Sequence, residues 1–134
     1  MSKDSAVNIE SWPNAGDGFT TARGTSRDSI VVHVRLTRNG FSGEGECAPI
    51  SRYQQTPEST AKEIEHWLGA GHEWSRTVLL QTMKAGAARN ALDCALWRLE
   101  AAEKNISFAA AAGITPHPIH TAFTLSAAKP EVMG

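Results

Sequence analysis

Residues 85–100, AGAARNALDCALWRLE, set the strongest constraint on the fold, because a helix built from them is apolar on too many sides for one interface. At about 100° per residue, Ala88, Leu92, Ala95, Leu96 and Leu99 form one stripe, and Ala87, Cys94, Trp97 and Ala101 fall nearly opposite. Only Arg89, Asp93 and Glu100 make a charged edge, with Arg89 and Asp93 one turn apart and able to pair. Such a helix needs a partner on each side. If the domain covers one stripe, the other is left bare, and the chain is expected to self-associate or to meet a further domain there.

Size limits what surrounds that helix. A chain of 134 residues supports one compact domain with a short appendage. It is too short for a complete (β/α)₈ barrel, which takes about 200 residues or more. With 13 basic and 14 acidic residues, unclustered, the net charge of −1 gives no reason to expect a nucleic-acid or membrane partner. Met1-Ser2-Lys3-Asp4-Ser5 lacks the apolar core of a signal peptide and no apolar run reaches the roughly 18 residues of a membrane span, so the expected location is the cytoplasm. Two cysteines, Cys47 and Cys94, are too few for a disulfide scaffold and are expected to be reduced.

Along the chain, alternation over residues 6–12 and again over 30–36 predicts two strands, the second with Val32, Val34 and Leu36 on one face. Between them, Pro13 to Gly18 reads as a loop. Asn39-Gly40 is a two-residue hairpin signal, so residues 41–47 return as a third strand of an antiparallel meander. Gly43 and Gly45 weaken that strand, and mark either a close backbone approach or a bulge. Thr56-Pro57-Glu58 supplies an N-cap, a first-turn proline and an acid at a helix start, with Ala61, Ile64, Trp67 and Leu68 as its apolar stripe and Gly69 and Gly71 at its end. A shorter helix is expected over 75–83, the long one over about 86–103, and a last turn or two over 107–112. Residues 119–126, rich in β-branched and aromatic side chains, predict a strand, and 130–133 a helix start. The fold class is therefore α+β: a three-stranded antiparallel meander, then a helical bundle, then the opening of a βα unit.

Several short patterns occur in order: Phe19-x-x-Ala22-Arg23-Gly24; Gly43-Glu44-Gly45-Glu46-Cys47-x-Pro49-x-x-Arg52-Tyr53; the 85–100 run; and Thr121-Ala122-Phe123-Thr124-Leu125-Ser126. Together they resemble the dipeptide epimerases of the enolase superfamily, the L-Ala-D/L-Glu epimerase type. The resemblance implies an enolase-type N-terminal capping domain over residues 1–114, and over 115–134 the first strand of a (β/α)₇β barrel that is cut short. It implies that in the intact enzyme paired lysines and a Mg²⁺ held by three acidic residues move the α-proton of a dipeptide, and that those groups lie beyond this chain. It also implies substrate contacts from Phe19, Arg23 and Arg27 after the first strand, from Ile50, Arg52 and Tyr53 after Cys47, and from Thr124. The chain departs from the family pattern in a first loop one residue longer, Asn14 to Gly18, and in Ile50-Ser51, Gln54, Lys84 and Arg98, where Tyr-Pro, Gly, Pro and Asp are usual.

The expected function is that of the substrate-specificity part of a Mg²⁺-dependent dipeptide epimerase-like isomerase, inactive by itself because an α-proton beside a carboxylate needs both a placed base and charge stabilisation. The small dipeptide and a barrel supplied elsewhere are its expected partners. A free-standing binding module with the same cap fold is the alternative. Glu44 and Glu46 share a strand face and read as solvent-exposed rather than catalytic. His117 and His120 have ligand-like spacing but no third ligand nearby. Cys94 has no neighbouring base and reads as a helix-packing residue.

Overall fold

A computed structural model describes residues 2–14, 16, 18–124 and 127. The first strand, β1 (Lys3–Pro13), pairs antiparallel with β4 (Asp28–Arg38), which pairs antiparallel with β5 (Phe41–Cys47), giving the sheet order β1-β4-β5. Asn39 and Gly40 turn β4 into β5, both with positive φ, 52° and 85°, as a type I′ turn requires. The register Val34↔Gly45 and Leu36↔Gly43 puts Val32, Val34, Leu36 and both glycines on one face, which is buried. The helices pack on that face, α1 (Pro57–Gly69) against β1 and α3 (Ala87–Glu103) against β5 and β4.

Gly43 and Gly45 explain how close α3 comes. A Cβ at Gly43 would fall inside the Ala95 carbonyl oxygen and the Leu99 nitrogen, and 2.8 Å from Leu99 Cα. At Gly45 it would strike the Ala91 carbonyl and stand 2.8 Å from the Ala95 nitrogen. The glycines thus mark a close approach, and the register runs through them without a bulge. Because Gly43 meets Leu99 and Gly45 meets Ala91, α3 runs antiparallel to β5, and its amino end lies beside Cys47.

Helix α1 begins as its sequence requires: the Thr56 hydroxyl accepts from the Ser59 N–H while the Ser59 hydroxyl accepts from the Thr56 N–H, a reciprocal capping box. Ser75 caps α2 (Arg76–Thr82), and Ser107 caps the single turn α4 (Phe108–Ala111). None of the helices is long and apolar enough to cross a membrane, among the described residues.

Two expectations are corrected here. The second stripe of α3 is covered in part within the chain: Ala101 is buried, the Arg76 guanidinium lies 3.3 Å from the Trp97 ring centroid, and Phe108 meets that ring edge-on at 5.7 Å, while Ala87, Cys94 and Trp97 remain half-buried. The short elements α2 and α4 therefore supply, within the chain, a partner for the Trp97 end of this stripe. Residues 119–124 carry no strand, because none of the described strands lies beside them to take up their backbone groups. Leu125, Ser126 and the helix start expected over 130–133 lie outside the described residues.

Candidate functional site

Register decides where the two candidate loops emerge. In the β1/β4 ladder the last pair is Pro13↔Asp28, whereas β5 ends at Cys47↔Val32, so β1 and β4 run on four residues, roughly 13 Å, past the end of β5. Residues 14–27 leave from the tip of this overhang and residues 48–55 leave beside it. Both loops are therefore at one end of the sheet, opposite the Asn39-Gly40 turn, and the amino end of α3 lies at that same end.

The first loop is folded. Its strands β2 (Phe19–Thr21) and β3 (Gly24–Ser26) form a small hairpin, the arm, with Ala22 and Arg23 as its two-residue turn. Arg23 thus sits at the tip, where its N–H donates to Thr21 Oγ1 at 3.2 Å. Arg27 sits at the base, where its carbonyl accepts from the Asn14 N–H at 2.8 Å. The two arginines are consequently attached at opposite ends of the arm. Phe19 is 37 % exposed, and Arg23 and Arg27 are both exposed with no carboxylate of a described residue in pairing distance. Sequence reading missed this hairpin because three-residue strands are too short for a periodicity. Thr20, Thr21 and Thr25 around Arg23-Gly24 were the available signal, and Gly24 takes φ +131° in the structure.

The second loop closes as a 3₁₀ turn over Ser51–Tyr53, in which Tyr53 N–H donates to the Ile50 carbonyl at 2.9 Å. Gln54 ends the turn in the left-handed region, φ 59°, and donates to the Ser51 carbonyl. A glycine takes that conformation without the cost a side chain incurs, which accounts for the residue usual there. Ile50 and Tyr53 are exposed, 54 % and 66 %, and together with Cys47, Ala48, Gln55, Gly86 and Asn90 they line an open cleft of about 590 Å³. Arg52, exposed, lies outside that lining. The first turn of α3 opens into the cleft with no side-chain cap, so its free N–H groups favour a negatively charged group there.

Thr124 is exposed and belongs to none of the described strands. Three residues later, the Ala127 N–H donates to the Thr20 carbonyl of the arm at 2.8 Å. This bond brings the end of the described chain to the arm.

A second cleft, of about 420 Å³, lies on the sheet face that no helix covers, lined by Glu10, Trp12, His33, Glu44 and Glu46 with Cys94 and Arg98 at its rim. His33 lies between Glu10 and Glu44, 3.7 Å from each, and Arg35 is 3.6 Å from Glu44, so Glu10 faces an imidazole and Glu44 an imidazole and a guanidinium of their own sheet. Among the described residues no three His, Cys, Asp or Glu side chains are grouped so as to hold a metal ion, His117 and His120 included. The Mg²⁺ implied by the resemblance does not fit these residues, and no step through it is derived from them. Cys47 is buried, and burial pushes its thiol up to about 11, far from the range of a nucleophile at neutral pH.

The model of the mandelate racemase / muconate lactonizing enzyme N-terminal domain matches residues 4–113. The chain belongs to this family. Within it, the chain is 39 % identical over 127 residues to the L-Ala-D/L-Glu epimerase of Escherichia coli K12, covering 93 % of this chain and 39 % of that enzyme. It is 35 % identical over 107 residues to the N-acetyl-D-glutamate racemase of a Pseudoalteromonas species, covering 77 % and 34 % respectively. Among solved structures, an enolase family member from Agrobacterium tumefaciens with homology to dipeptide epimerases superposes with a TM-score of 0.85 at 38 % identity, over 98 % of this chain and 41 % of that one. That structure holds sodium and L-Ala-L-Glu with an ordered loop. The MR/MLE-type chain described here spans about two fifths of the length of these relatives or less.

Proposed function

We propose that this chain is the substrate-facing cap of an isomerase acting at the α-carbon of an N-acylated glutamate, with alanyl-glutamate dipeptides as the first candidate. Residues 1–114 form the cap, and 115–134 lead into a barrel that carries the proton-moving groups. The observation that carries the proposal is the placement of both loops and the uncapped α3 amino end at one end of the sheet, in a chain that superposes on a protein holding L-Ala-L-Glu. The named substrates of the relatives share one chemistry: alanyl-glutamate and N-acetyl-glutamate are both glutamate with an acylated nitrogen. Such a molecule offers carboxylates to Arg23, Arg27 and Arg52, which can grip them bidentately. Phe19, Ile50 and Tyr53 supply the apolar wall against the acyl group, and Thr124 adds a hydroxyl near the arm.

The test replaces the corresponding segment of the E. coli epimerase by residues 1–127 of this chain. Proton–deuterium exchange at the α-carbon is then followed by NMR for L-Ala-L-Glu and for N-acetyl-glutamate. Exchange is expected with at least one of them, falling about tenfold to hundredfold in kcat/KM for whichever arginine holds a carboxylate when it is changed to Met. A folded chimera inactive on both, or three arginine variants with unaltered kcat/KM, overturns the proposal. The 134-residue chain alone is expected to give no exchange above buffer.

A further inference from the structure

We infer that Asn14 is a positioning residue for the arm, setting the direction in which Phe19, Arg23 and Arg27 are held at the site; the role in substrate recognition rests on the function proposed above. The arm needs such a device. A hairpin with three residue pairs is marginal alone, its side chains are largely exposed, and neither of its strands packs extensively on a helix or on the main sheet. Among the described residues its angle to the overhang therefore rests on polar contacts, the Ala127 N–H bond to the Thr20 carbonyl at its side and a set of bonds at its base.

The contacts at the base converge on Asn14. Its N–H donates to the Arg27 carbonyl at 2.8 Å, extending the β1/β4 ladder by one step. Its side-chain Nδ2 donates to the Ser26 carbonyl at 2.9 Å, and its Oδ1 accepts from the Ser29 hydroxyl at 3.0 Å. One amide side chain thus ties the last residue of β3 to the second residue of β4 across Arg27 and Asp28. From the other side Gly18, at φ +107°, lies so close that a Cβ would stand 2.7 Å from the same Ser26 carbonyl. The Ser26 hydroxyl in turn donates to the Asp28 carbonyl at 2.7 Å. Asn14 and Gly18 both belong to the stretch that departs from the family pattern, and they enclose a single carbonyl at the arm's base.

Hydrogen–deuterium exchange on the 134-residue chain, without any dipeptide, tests the positioning role. In Asn14→Ala the amides of residues 19–27 are expected to exchange about tenfold faster, the loss of two exposed hydrogen bonds, while β4 from Val32 to Leu36 and the urea midpoint of the core stay as in wild type. Ser29→Ala, which deletes only the Oδ1 bond, is expected to give a smaller rise in the same segment, and Ser29→Thr to restore protection. Unchanged exchange in the arm of both variants overturns the inference. So does a rise spread evenly through the sheet with a lowered urea midpoint, because Asn14 then merely stabilises the fold. Failure of the chimera test together with the expected rise in arm exchange would instead overturn the substrate reading and leave the positioning role of Asn14 standing.

Discussion

Gly43→Ala is the substitution through which the packing argument is most exposed to refutation. The new methyl would overlap main-chain atoms of α3, the Ala95 carbonyl oxygen and the Leu99 nitrogen, with Leu99 Cα at 2.8 Å. Ordinary overpacking costs about 1–3 kcal/mol because side chains can rotate away. A helix backbone has no such freedom, so α3 must retreat on the order of 1 Å as a body, and a gap of that size forfeits a quarter to a half of each dispersion contact it opens. The contacts affected are those of Ala91, Leu92, Ala95, Leu96 and Leu99 with Val32, Val34 and Leu36, all fully or almost fully buried. The expected loss is about 3–5 kcal/mol, a large part of the roughly 5–15 kcal/mol that holds a domain of this kind together. Urea denaturation followed by the fluorescence of buried Trp67 and Trp74 measures it. Gly40→Ala is the control: it has φ +85° but open space around it, so it costs only the left-handed conformation, about 1–2 kcal/mol. If Gly43→Ala were no more destabilising than Gly40→Ala, α3 would not lie on the β5 backbone as described.

The Cys47 thiol, raised by burial to about 11 against an ordinary 9.0, stays protonated in the fold while the unfolded chain ionises. Its contribution is therefore complete below about pH 9 and is lost as the pH rises through about 11, roughly 2–3 kcal/mol, which the difference between wild type and Cys47→Ala in denaturation at pH 8 and pH 11 reads directly. Glu103 accepts two hydrogen bonds of 2.7 Å from Arg38, which also donates to the Trp74 carbonyl at 2.9 Å, and this pairing holds the Glu103 carboxyl below its ordinary range. Glu103→Gln is expected to cost about 1.5–3 kcal/mol at pH 7. That penalty should shrink as the pH falls below the ordinary glutamate value, where the wild-type stabilisation is itself lost, and a constant penalty down to pH 2.5 would refute the charge assignment.

Local chemistry made much of the cap legible. Asn39-Gly40 can turn only with positive φ, and Thr56-Pro57 can open a helix but not continue one, so the hairpin and α1 followed from single residues. Gly43 and Gly45 announced a close approach without saying to what, since that depends on α3, about fifty residues away. The arm stayed illegible for the opposite reason: its order comes from Asn14, Ser26 and Ser29, polar residues whose bonds across the base leave no hydrophobic pattern. The partial cover over the Trp97 end of α3 was not foreseen because a one-turn helix, α4, and a cation–π contact from Arg76 are too small to register in a reading of long apolar stripes. Of the site residues, sequence named the loops from which they come, but only the strand register shows that those loops share one end of the sheet, with Arg23 at a tip and Arg27 at a base.

The overhang of β1 and β4 beyond β5 also bears on how freely this chain can change. Among the described residues the arm joins the rest of the chain through exposed polar contacts, and Phe19 and Arg23 are both exposed, so replacing either leaves the buried core residues untouched. The 48–55 turn has no such isolation, because it follows directly on buried Cys47 and abuts the first turn of α3. New substrate preferences can thus arise on the arm by single substitutions that folding does not oppose, whereas changes in the second loop are screened by core stability first.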